Sequence, residues 1–413
     1  MSAPATSWLT GMRHGIDPDL SRIRAIVAAL GHPELAYPTA HVGGTNGKGS
    51  TCAMLAAALR ADGRKVGLMT SPHLIRLHER LQVDNRCISD ITLAGLAGEV
   101  RAAADATGCD PTFFEFITAL GFLYFARQRV DIAVIEVGMG GTWDATTMVR
   151  PAVSVVTNVG LEHQEYLGED LASIAAEKAG IIKQGVPVVT TASGEGLSAL
   201  ARRAGERDAP LHVVRYTDAG EKALRMQDED ARYAIGLRGA HQLANAACAI
   251  SAARLLGVSD DALRQGLLAA HIDGRLERLS IGGMDLLLDG AHNADGFAAL
   301  LAALDALGPE EKIAVLVCGL KKGKDASLLS DIARRAAHVV CTQAAFLPAP
   351  CGALAAALGG EAIPSVRAAL SRAGTLAGHA PGRGLVLVTG SLYLVGDALS
   401  ALTGQKKELD VQY

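Results

Sequence analysis

The chain has 413 residues, of which 49% are hydrophobic and 20% are charged, and this balance excludes an intrinsically disordered protein. Lys and Arg total 39 against 43 Asp and Glu, so the net charge of −4 argues against nucleic-acid binding. The sequence has no apolar run of 18 residues, no signal-peptide pattern in residues 1–19 and no C-x-x-C pair among seven cysteines. These features favour a protein of the reducing cytoplasm without a membrane partner, and the length predicts two or three domains at about 150 residues each.

Short β-branched runs alternate with Ala- and Leu-rich amphipathic segments, a pattern typical of doubly wound α/β sheets. The first part of the chain has predicted strands at 65–69, 132–137, 153–158 and 186–190, and predicted helices at 50–60, 113–127 and 171–181. Polar residues 219–232 indicate a hairpin or a loop. The second part has predicted strands at 285–289, 313–318, 338–341 and 385–389.

The helical pattern breaks at Ile272-Asp273-Gly274-Arg275, which predicts a junction between two domains. We expect residues 1–271 to form an N-terminal domain with a doubly wound sheet. Residues 275–404 are expected to form a smaller, Rossmann-like α/β domain.

A Gly-rich turn at His41–Thr51 follows a strand and opens a helix. Backbone N–H groups in such a turn bind anions, and Lys48 can reach the β- and γ-phosphates of a nucleotide. The strict G-x-x-x-x-G-K-[ST] pattern is not met, because Gly49 follows Lys48 and the upstream spacing is one residue short. Four glycines around one lysine nevertheless predict a phosphate loop rather than a turn with an incidental lysine.

Several polar residues follow predicted strands, where parallel sheets bind ligands. Glu136 ends one strand and can hold Mg²⁺ beside the phosphate loop, although a solvated strand end is the alternative for this residue alone. His163 follows the next strand and is a candidate second ligand. Lys178 ends a helix, where the helix dipole stabilises a positively charged side chain. A bare ammonium cannot bind Mg²⁺, so a metal role for Lys178 requires chemical modification.

Residues from later in the chain complete the candidate site. His241 and Asn245 share one helix face and could touch a nucleotide, although a polar helix face is the alternative. Arg275 and Asp289 belong to the second predicted domain, and Asp289 again follows an apolar strand. Together these residues indicate a site that is closed between two domains.

In their order along the chain, these motifs resemble the folylpolyglutamate synthase and dihydrofolate synthase branch of the Mur ligase superfamily. The resemblance runs from Gly11 to about Asp397. The matching segments are His41–Thr51, Thr70-Ser71-Pro72-His73-Leu74, Glu79-Arg80, Phe113-Phe114-Glu115, Glu136–Gly141, Asp144-Ala145-Thr146, Asn158–His163, Glu165-Tyr166-Leu167-Gly168, Glu177–Ile182, His241–Asn245, Asp289–Asn293 and Gly390-Ser391-Leu392-Tyr393.

The resemblance implies an ATP-dependent ligase that adds L-glutamate to dihydropteroate, tetrahydrofolate or both through an acyl phosphate. It implies ATP contacts at Asn46, Gly47, Lys48, Gly49, Ser50, Asn245, Arg275 and Asp289. It implies two Mg²⁺ sites with ligands Ser71, Glu136 and His163, K⁺ as a further candidate ion, and N6-carboxylysine at Lys178. Lys48, Lys178 and His292 would be the catalytic residues, with His292 near the incoming glutamate. The acceptor would contact Ile16, Asp17, Phe114, Glu115, Phe116, Ile117, Trp143, Asp144 and Ala145.

One departure from the family pattern bears on the substrate. Thr142-Trp143 stands where the family usually has Arg-Leu, so the same chemistry on another pterin-like or aromatic carboxylate is the main alternative. A non-catalytic nucleotide-binding module and a P-loop kinase or GTPase are further alternatives. Intact Lys48, Glu136, His163 and Lys178 argue against the module, and the second domain argues against the kinase. The resemblance favours a monomer.

Overall fold

The computed structural model describes residues 12–13, 15, 18–220, 222–227, 229–308, 312–379 and 384–408. Eight strands form the first sheet: β1 (Thr39–Gly43), β2 (Val66–Met69), β3 (Leu81–Val83), β4 (Arg86–Cys87), β5 (Ile132–Glu136), β6 (Pro151–Val156), β7 (Val188–Thr190) and β8 (Leu211–Val213). Their order across the sheet is β4-β3-β2-β5-β1-β6-β7-β8, with only β3 and β4 antiparallel to their neighbours. The chain leaves β1 on one side towards β2 and later returns to its other side at β6, so the loop after β1 lies at the switch point where α/β sheets bind ligands.

In the described residues of this part of the chain, nine α-helices accompany the sheet: α1 (Ser21–Ala29), α2 (Lys48–Ala61), α3 (Asp90–Thr107), α4 (Phe113–Gln128), α5 (Gln164–Leu167), α6 (Leu171–Lys178), α7 (Gly194–Glu206), α8 (His241–Leu255) and α9 (Asp260–Ala269). The central strand β5 is buried on both faces. Its Ala133 and Ile135 pack into a core with α3 and α4, whereas Ile132 and Val134 pack into a second core with α2, α8 and α9. The predicted doubly wound sheet is therefore confirmed.

Helix α2 is enclosed by its neighbours. It packs against α8 and α9, and nine of its fourteen residues are buried. The contact with α9 depends on a small residue, because a Cβ at Gly266 would lie 2.3 Å from Ala58 Cα. Residues 219–232, for which the sequence left a hairpin or a loop open, contribute to a small antiparallel sheet of β9 (Tyr216–Asp218), β10 (Ala223–Met226) and β11 (Arg232–Ala234).

A second sheet is built from β12 (Glu277–Ile281), β13 (Met284–Asp289), β14 (Ile313–Cys318), β15 (His338–Cys341), β16 (Glu361–Ala362) and β17 (Leu385–Thr389). Its order is β12-β13-β17-β14-β15-β16, and only β12 is antiparallel. Its helices are α10 (Ala294–Asp305), α11 (Ser330–Ala333), α12 (Cys351–Leu358), α13 (Val366–Gly378) and α14 (Leu392–Thr403). Among the described residues, no helix is both long and apolar enough to cross a bilayer.

Several predicted boundaries differ from the structure by a few residues. Strand β6 begins at Pro151 rather than 153, since proline is compatible with the first position of a strand. Helix α2 begins at Lys48 rather than 50, directly after Gly47. The predicted helix 171–181 ends at Lys178, and a 3₁₀ turn over Ala179–Ile181 replaces its last three residues.

Candidate active site

Two lysines meet at one carbonyl oxygen of the loop between β1 and α2. Lys48 Nζ donates hydrogen bonds to the carbonyl oxygens of Gly44 and Thr45, both at 3.1 Å. Lys178 Nζ, from the end of α6, donates to the same Gly44 oxygen at 3.0 Å. This arrangement brings two amine groups to the loop that the sequence predicts to bind phosphate.

The tip of this loop packs closely against α8 and against the segment that follows β6. Gly47 has φ +82°, and a Cβ there would lie 2.0 Å from Asn245 Oδ1 on α8. The backbone N–H of Asn46 donates to Asn158 Oδ1 at 2.9 Å, and Thr157 Oγ1 donates to the Asn46 carbonyl at 2.7 Å. The Asn46 Nδ2 group is buried without a hydrogen-bond partner among the described residues. An orphaned buried donor at a phosphate loop fits an anionic ligand.

Glu136 ends β5 beside this loop. Its carboxylate is 5% exposed, and Oε2 accepts a hydrogen bond from the backbone N–H of Ser71 at 3.1 Å. A Cβ at Gly49 would lie 3.5 Å from the same oxygen, so the first turn of α2, which also carries Ser50, faces this carboxylate. Burial raises the pKa of Glu136, while the charge of Lys48 and the Ser71 N–H lower it. A buried carboxylate in this setting is a suitable oxygen ligand for a cation.

Glu162 and His163 lie on the loop between β6 and α5. Burial lowers the pKa of His163 to about 4 against the opposing charge of Glu162, so its imidazole is neutral and has the form that ligates metals. Burial alone would raise the pKa of Glu162. The hydrogen bond from His292 and the charges of Lys48 and His292 outweigh burial and hold this pKa well below its usual range.

Lys178 is buried, with 2% of its surface exposed. Burial is the main reason that the pKa of Lys178 falls from its usual 10.5 to about 7, and the charge of Lys48 acts in the same direction. A large fraction of this amine is therefore neutral at physiological pH. A neutral amine is a nucleophile, which an ordinary surface lysine is not.

Arg275 links the two parts of the site. Its charge lowers the pKa of Glu136, His241 and Asp289, so the guanidinium stands near the edge of the first sheet, α8 and the second sheet. Asp289 is 7% exposed and accepts hydrogen bonds from the backbone N–H groups of Leu276 and Ala291 at 3.0 and 2.9 Å. Burial raises the pKa of Asp289, and Arg275 opposes this effect.

The turn after β13 reaches across to the first sheet. His292 Nε2 lies 3.3 Å from Glu162 Oε1, and Asn293 Nδ2 donates to the same oxygen at 3.1 Å. Asn293 Nδ2 also lies 3.1 Å from Asn46 Oδ1 on the phosphate loop. The predicted nucleotide site and the predicted glutamate site are therefore adjacent.

A cavity of about 600 Å³ is lined by residues of α4, of the loop after β5, and of α5 and α6, which follow Glu162 and His163 in the chain. Five of the predicted acceptor residues line it: Phe114, Glu115, Trp143, Asp144 and Ala145. Glu115 caps α4 by accepting from the Thr112 N–H at 2.7 Å and also accepts from Arg22 Nε at 3.1 Å. Asp144 is held by the Met139 N–H at 2.8 Å and the Thr146 N–H at 3.0 Å.

Two predicted acceptor residues on α4 do not line this cavity. Phe116 and Ile117, on the next positions of α4, are 1% and 0% exposed and pack in the core between α4 and the sheet. Ile16 and Asp17 lie outside the described residues. Trp143 is 48% exposed at the cavity, and its backbone N–H donates to Glu177 Oε1 at 3.3 Å.

Sequence reasoning gave no role to Glu162, Asn293, Arg22 and Tyr166. Tyr166 and Arg22 line the cavity, and Glu162 with Asn293 forms the contact between the two sheets. The sequence signal for Glu162 is its place next to His163, on the segment that follows β6. Arg22 has no such signal, because its partner Glu115 is 93 residues away.

Residues 42–253 match the Mur ligase middle domain, and residues 274–392 match the Mur ligase glutamate ligase domain. The chain belongs to the Mur ligase family. This Mur ligase is 38% identical to the dihydrofolate synthase/folylpolyglutamate synthase of Bacillus subtilis, over 77% of the chain and 79% of that protein. It is 36% identical to the folylpolyglutamate synthase of Lacticaseibacillus casei, over 94% of the chain and 95% of that protein.

Solved structures extend this similarity to the whole fold. The E. coli FolC in complex with DHPP and ADP matches this Mur ligase with a TM-score of 0.88 at 30% identity, over 98% of both chains. The Mycobacterium tuberculosis folylpolyglutamate synthase, complexed with ADP and AMPPCP, matches with a TM-score of 0.85 at 31% identity, over 95% of this chain and 96% of that chain. The predicted fold, a doubly wound domain of Mur ligase type with a smaller α/β domain, is confirmed.

Proposed function

We propose that this Mur ligase uses ATP to join L-glutamate to the carboxylate of dihydropteroate, of tetrahydrofolate, or of both. The observation that carries the proposal is the hydrogen bond between Asn293 of the second sheet and Asn46 of the phosphate loop, which makes the two predicted half-sites neighbours. The cavity lined by α4 and the loop after β5 supplies room for an acceptor. The relatives that share this fold are named as dihydrofolate and folylpolyglutamate synthases.

The chemistry follows from these positions. The acceptor carboxylate attacks the γ-phosphorus of ATP, ADP leaves, and an acyl phosphate remains. The glutamate amine then attacks the acyl carbon, phosphate leaves with the C–O bond electrons, and the amine loses a proton. Lys48 balances charge on the β- and γ-phosphates, and contact between the two domains shields the acyl phosphate from water.

Three residues at or after the ends of β2, β5 and β6 fit Mg²⁺. Glu136 supplies a buried carboxylate, and because burial raises its pKa, a bound cation would stabilise its charged form. The Ser71 N–H donates a hydrogen bond to this carboxylate, and His163 supplies a neutral imidazole. We propose these three residues as the Mg²⁺ ligands, in two sites. When bound, Mg²⁺ shields phosphate charge. Asn245, Arg275 and Asp289 are proposed as further nucleotide contacts, and K⁺ as an additional ion to test in the assay.

Lys178 is proposed to be carboxylated on Nζ. Its neutral amine attacks CO₂, the new N–C bond forms, and one proton leaves, which gives an N-linked carboxylate. This reaction converts a neutral amine beside Gly44 into an anionic oxygen ligand. The lowered pKa of Lys178, about 7, supports the proposal because only the neutral amine reacts.

We further propose that residues 1–271 and 275–404 are the two domains, that the protein is a monomer and that it works in the cytoplasm. All seven cysteines are free, including Cys318 and Cys341, whose sulfur atoms lie 3.7 Å apart. Free thiols this close favour a reducing compartment.

The identity of the acceptor depends on Trp143. Its exposed ring lines the cavity and favours a second candidate function, in which the same ligation acts on another aromatic or pterin-like carboxylate. Mass spectrometry of products tests both. The reaction contains ATP, Mg²⁺, K⁺ and L-glutamate, with dihydropteroate in one tube and tetrahydrofolate in another. A product heavier by one glutamyl unit, with matching phosphate release, supports the first proposal. Intact ATP binding without product in either tube contradicts it and favours the second.

A further inference from the structure

We propose that Glu162 is a positioning residue that latches the second domain onto the phosphate loop and aims His292 at the incoming amino acid. The inference rests on the proposed glutamate ligation, and it assigns to Glu162 a role in glutamate binding rather than in nucleotide binding. The contacts that carry it join residues 130 positions apart in the chain.

One carboxylate oxygen of Glu162 contacts both His292 and Asn293 of the second domain. Glu162 Oε1 lies 3.3 Å from His292 Nε2 and accepts from Asn293 Nδ2 at 3.1 Å. The Glu162 side chain is only 6% exposed, so water competes weakly for this oxygen. Because both partners stand on the turn between β13 and α10, the two contacts form together when the domains close.

The loop that carries Glu162 is anchored to the phosphate loop from behind. Thr45 Oγ1 donates to the Gly160 carbonyl at 3.1 Å, and the Gly160 N–H donates to Thr45 Oγ1 at 2.9 Å. A Cβ at Gly160 would lie 2.6 Å from Asp295 Oδ2 of α10, so glycine permits the second domain to approach closely. The Glu162 side of the latch is therefore held in place by the phosphate loop.

The partner side of the latch is equally constrained. His292 Nδ1 donates to the Gly290 carbonyl at 2.8 Å, which sets the plane of the imidazole. Asn293 Oδ1 accepts from the Gly296 N–H at 2.8 Å and so caps α10, while its Nδ2 faces Glu162 and Asn46. Because both sides of this contact are held in place, removal of the Glu162 oxygen is expected to weaken the contact between the domains and to leave the orientation of the His292 ring less fixed.

The test compares Glu162→Ala, Glu162→Gln, Asn293→Ala and the Glu162→Ala/Asn293→Ala double variant. In Glu162→Ala we expect the KM for L-glutamate to rise about tenfold or more, because a buried hydrogen bond to a charged group is lost. Binding of a non-hydrolysable ATP analogue is expected to weaken less than binding of glutamate, since Lys48 and the loop glycines remain while only the contacts proposed for Arg275 and Asp289 loosen. Glu162→Gln keeps an oxygen acceptor of the same length and is expected to recover most of the affinity for glutamate.

A second measurement separates the latch from the reaction. Small-angle X-ray scattering of each variant with the ATP analogue is expected to give a larger radius of gyration for Glu162→Ala than for wild type. The matched control is Glu169→Gln, an exposed carboxylate seven residues further along the same segment, which is expected to behave as wild type in both assays. Circular dichroism confirms that each variant is folded.

The two kinds of failure are distinguishable. If wild type makes no glutamylated product, the proposed function fails, and the scattering comparison still tests the latch. If wild type is active and Glu162→Ala matches it in both KM for glutamate and radius of gyration, the latch is refuted. The double variant also loses the Asn46 contact and the cap of α10, so it is expected to be somewhat worse than Glu162→Ala, but by less than the product of the two single effects; fully multiplicative losses would assign Asn293 an independent role and overturn the shared latch.

Discussion

Lys178 is expected to take up carbon dioxide near neutral pH, and the perturbation that reveals this reaction is a pH series at fixed dissolved CO₂. The amine lies beneath the phosphate loop, 2% exposed and beside the charge of Lys48. Both features penalise the ammonium form. The neutral amine, which is the reacting form, therefore appears at a much lower pH than on a surface lysine.

The size of the effect follows from the pKa of Lys178. Burial is the main reason that this pKa lies at about 7 instead of the usual 10.5. At pH 8 the neutral fraction then rises from about 0.3% to about 90%, a gain of about 300-fold in reactive amine. At fixed dissolved CO₂, uptake is expected to rise steeply with pH up to about 7 and less steeply above it, because above the pKa only the proton released with the carbamate still depends on pH. An exposed lysine would keep the steep rise up to about 10.5.

The assay is ¹³C NMR of the protein equilibrated with ¹³C-bicarbonate. The expected carbamate signal disappears in Lys178→Ala. The matched control is Lys183→Ala: burial also lowers the pKa of Lys183, to about 8, but its Nζ donates to Thr147 Oγ1 at 2.7 Å, away from the phosphate loop. This control is expected to keep the signal. A wild-type signal that survives in Lys178→Ala, or that grows only above pH 10, would refute the reasoning.

Three further substitutions test the site. Lys48→Ala is expected to abolish ligation because the β- and γ-phosphates lose their cation; near-normal kcat in the product assay would remove Lys48 from the site. Gly47→Ala is expected to weaken ATP binding about tenfold or more, because a left-handed L-residue costs roughly 1–2 kcal/mol and its Cβ would displace Asn245. Calorimetric titration with an ATP analogue checks this, and unchanged affinity contradicts it. Trp143→Leu is expected to shift acceptor preference in the product assay with KM for ATP unchanged; a collapse of ATP affinity would place Trp143 at the nucleotide instead.

The elements that the sequence predicted well carry their signal locally. Strand β14 (Ile313–Cys318) is a continuous apolar run, as expected for a strand buried on both faces, and its predicted bounds are those of the structure. Helix α4 starts at Phe113 as predicted, because Thr112 and Glu115 form a capping box. The β3–β4 hairpin went unpredicted: its turn needs positive φ at Asp84 and Asn85, and residue types alone signal that weakly without glycine.

The candidate site divides in the same way. The phosphate loop and Glu136 follow strands directly, so their place at the sheet edge could be predicted. Glu162 could not be assigned, since its significance comes from a turn 130 residues away. Phe116 and Ile117 were predicted to face the acceptor with Phe114, but consecutive helix positions point in different directions, and the structure places these two in the core.

The burial of α2 makes the phosphate loop the rigid part of the candidate site. A helix held by α8, α9 and the sheet, with Gly266 pressed against Ala58, leaves the phosphate loop little freedom to reorganise when a nucleotide arrives. The entropic cost of ordering the complex is then expected to fall on the second domain rather than on the phosphate loop. Substitutions that loosen α2 would spread that cost to both partners, so the helix core is a place where a distant change can slow ligation without touching any reacting group.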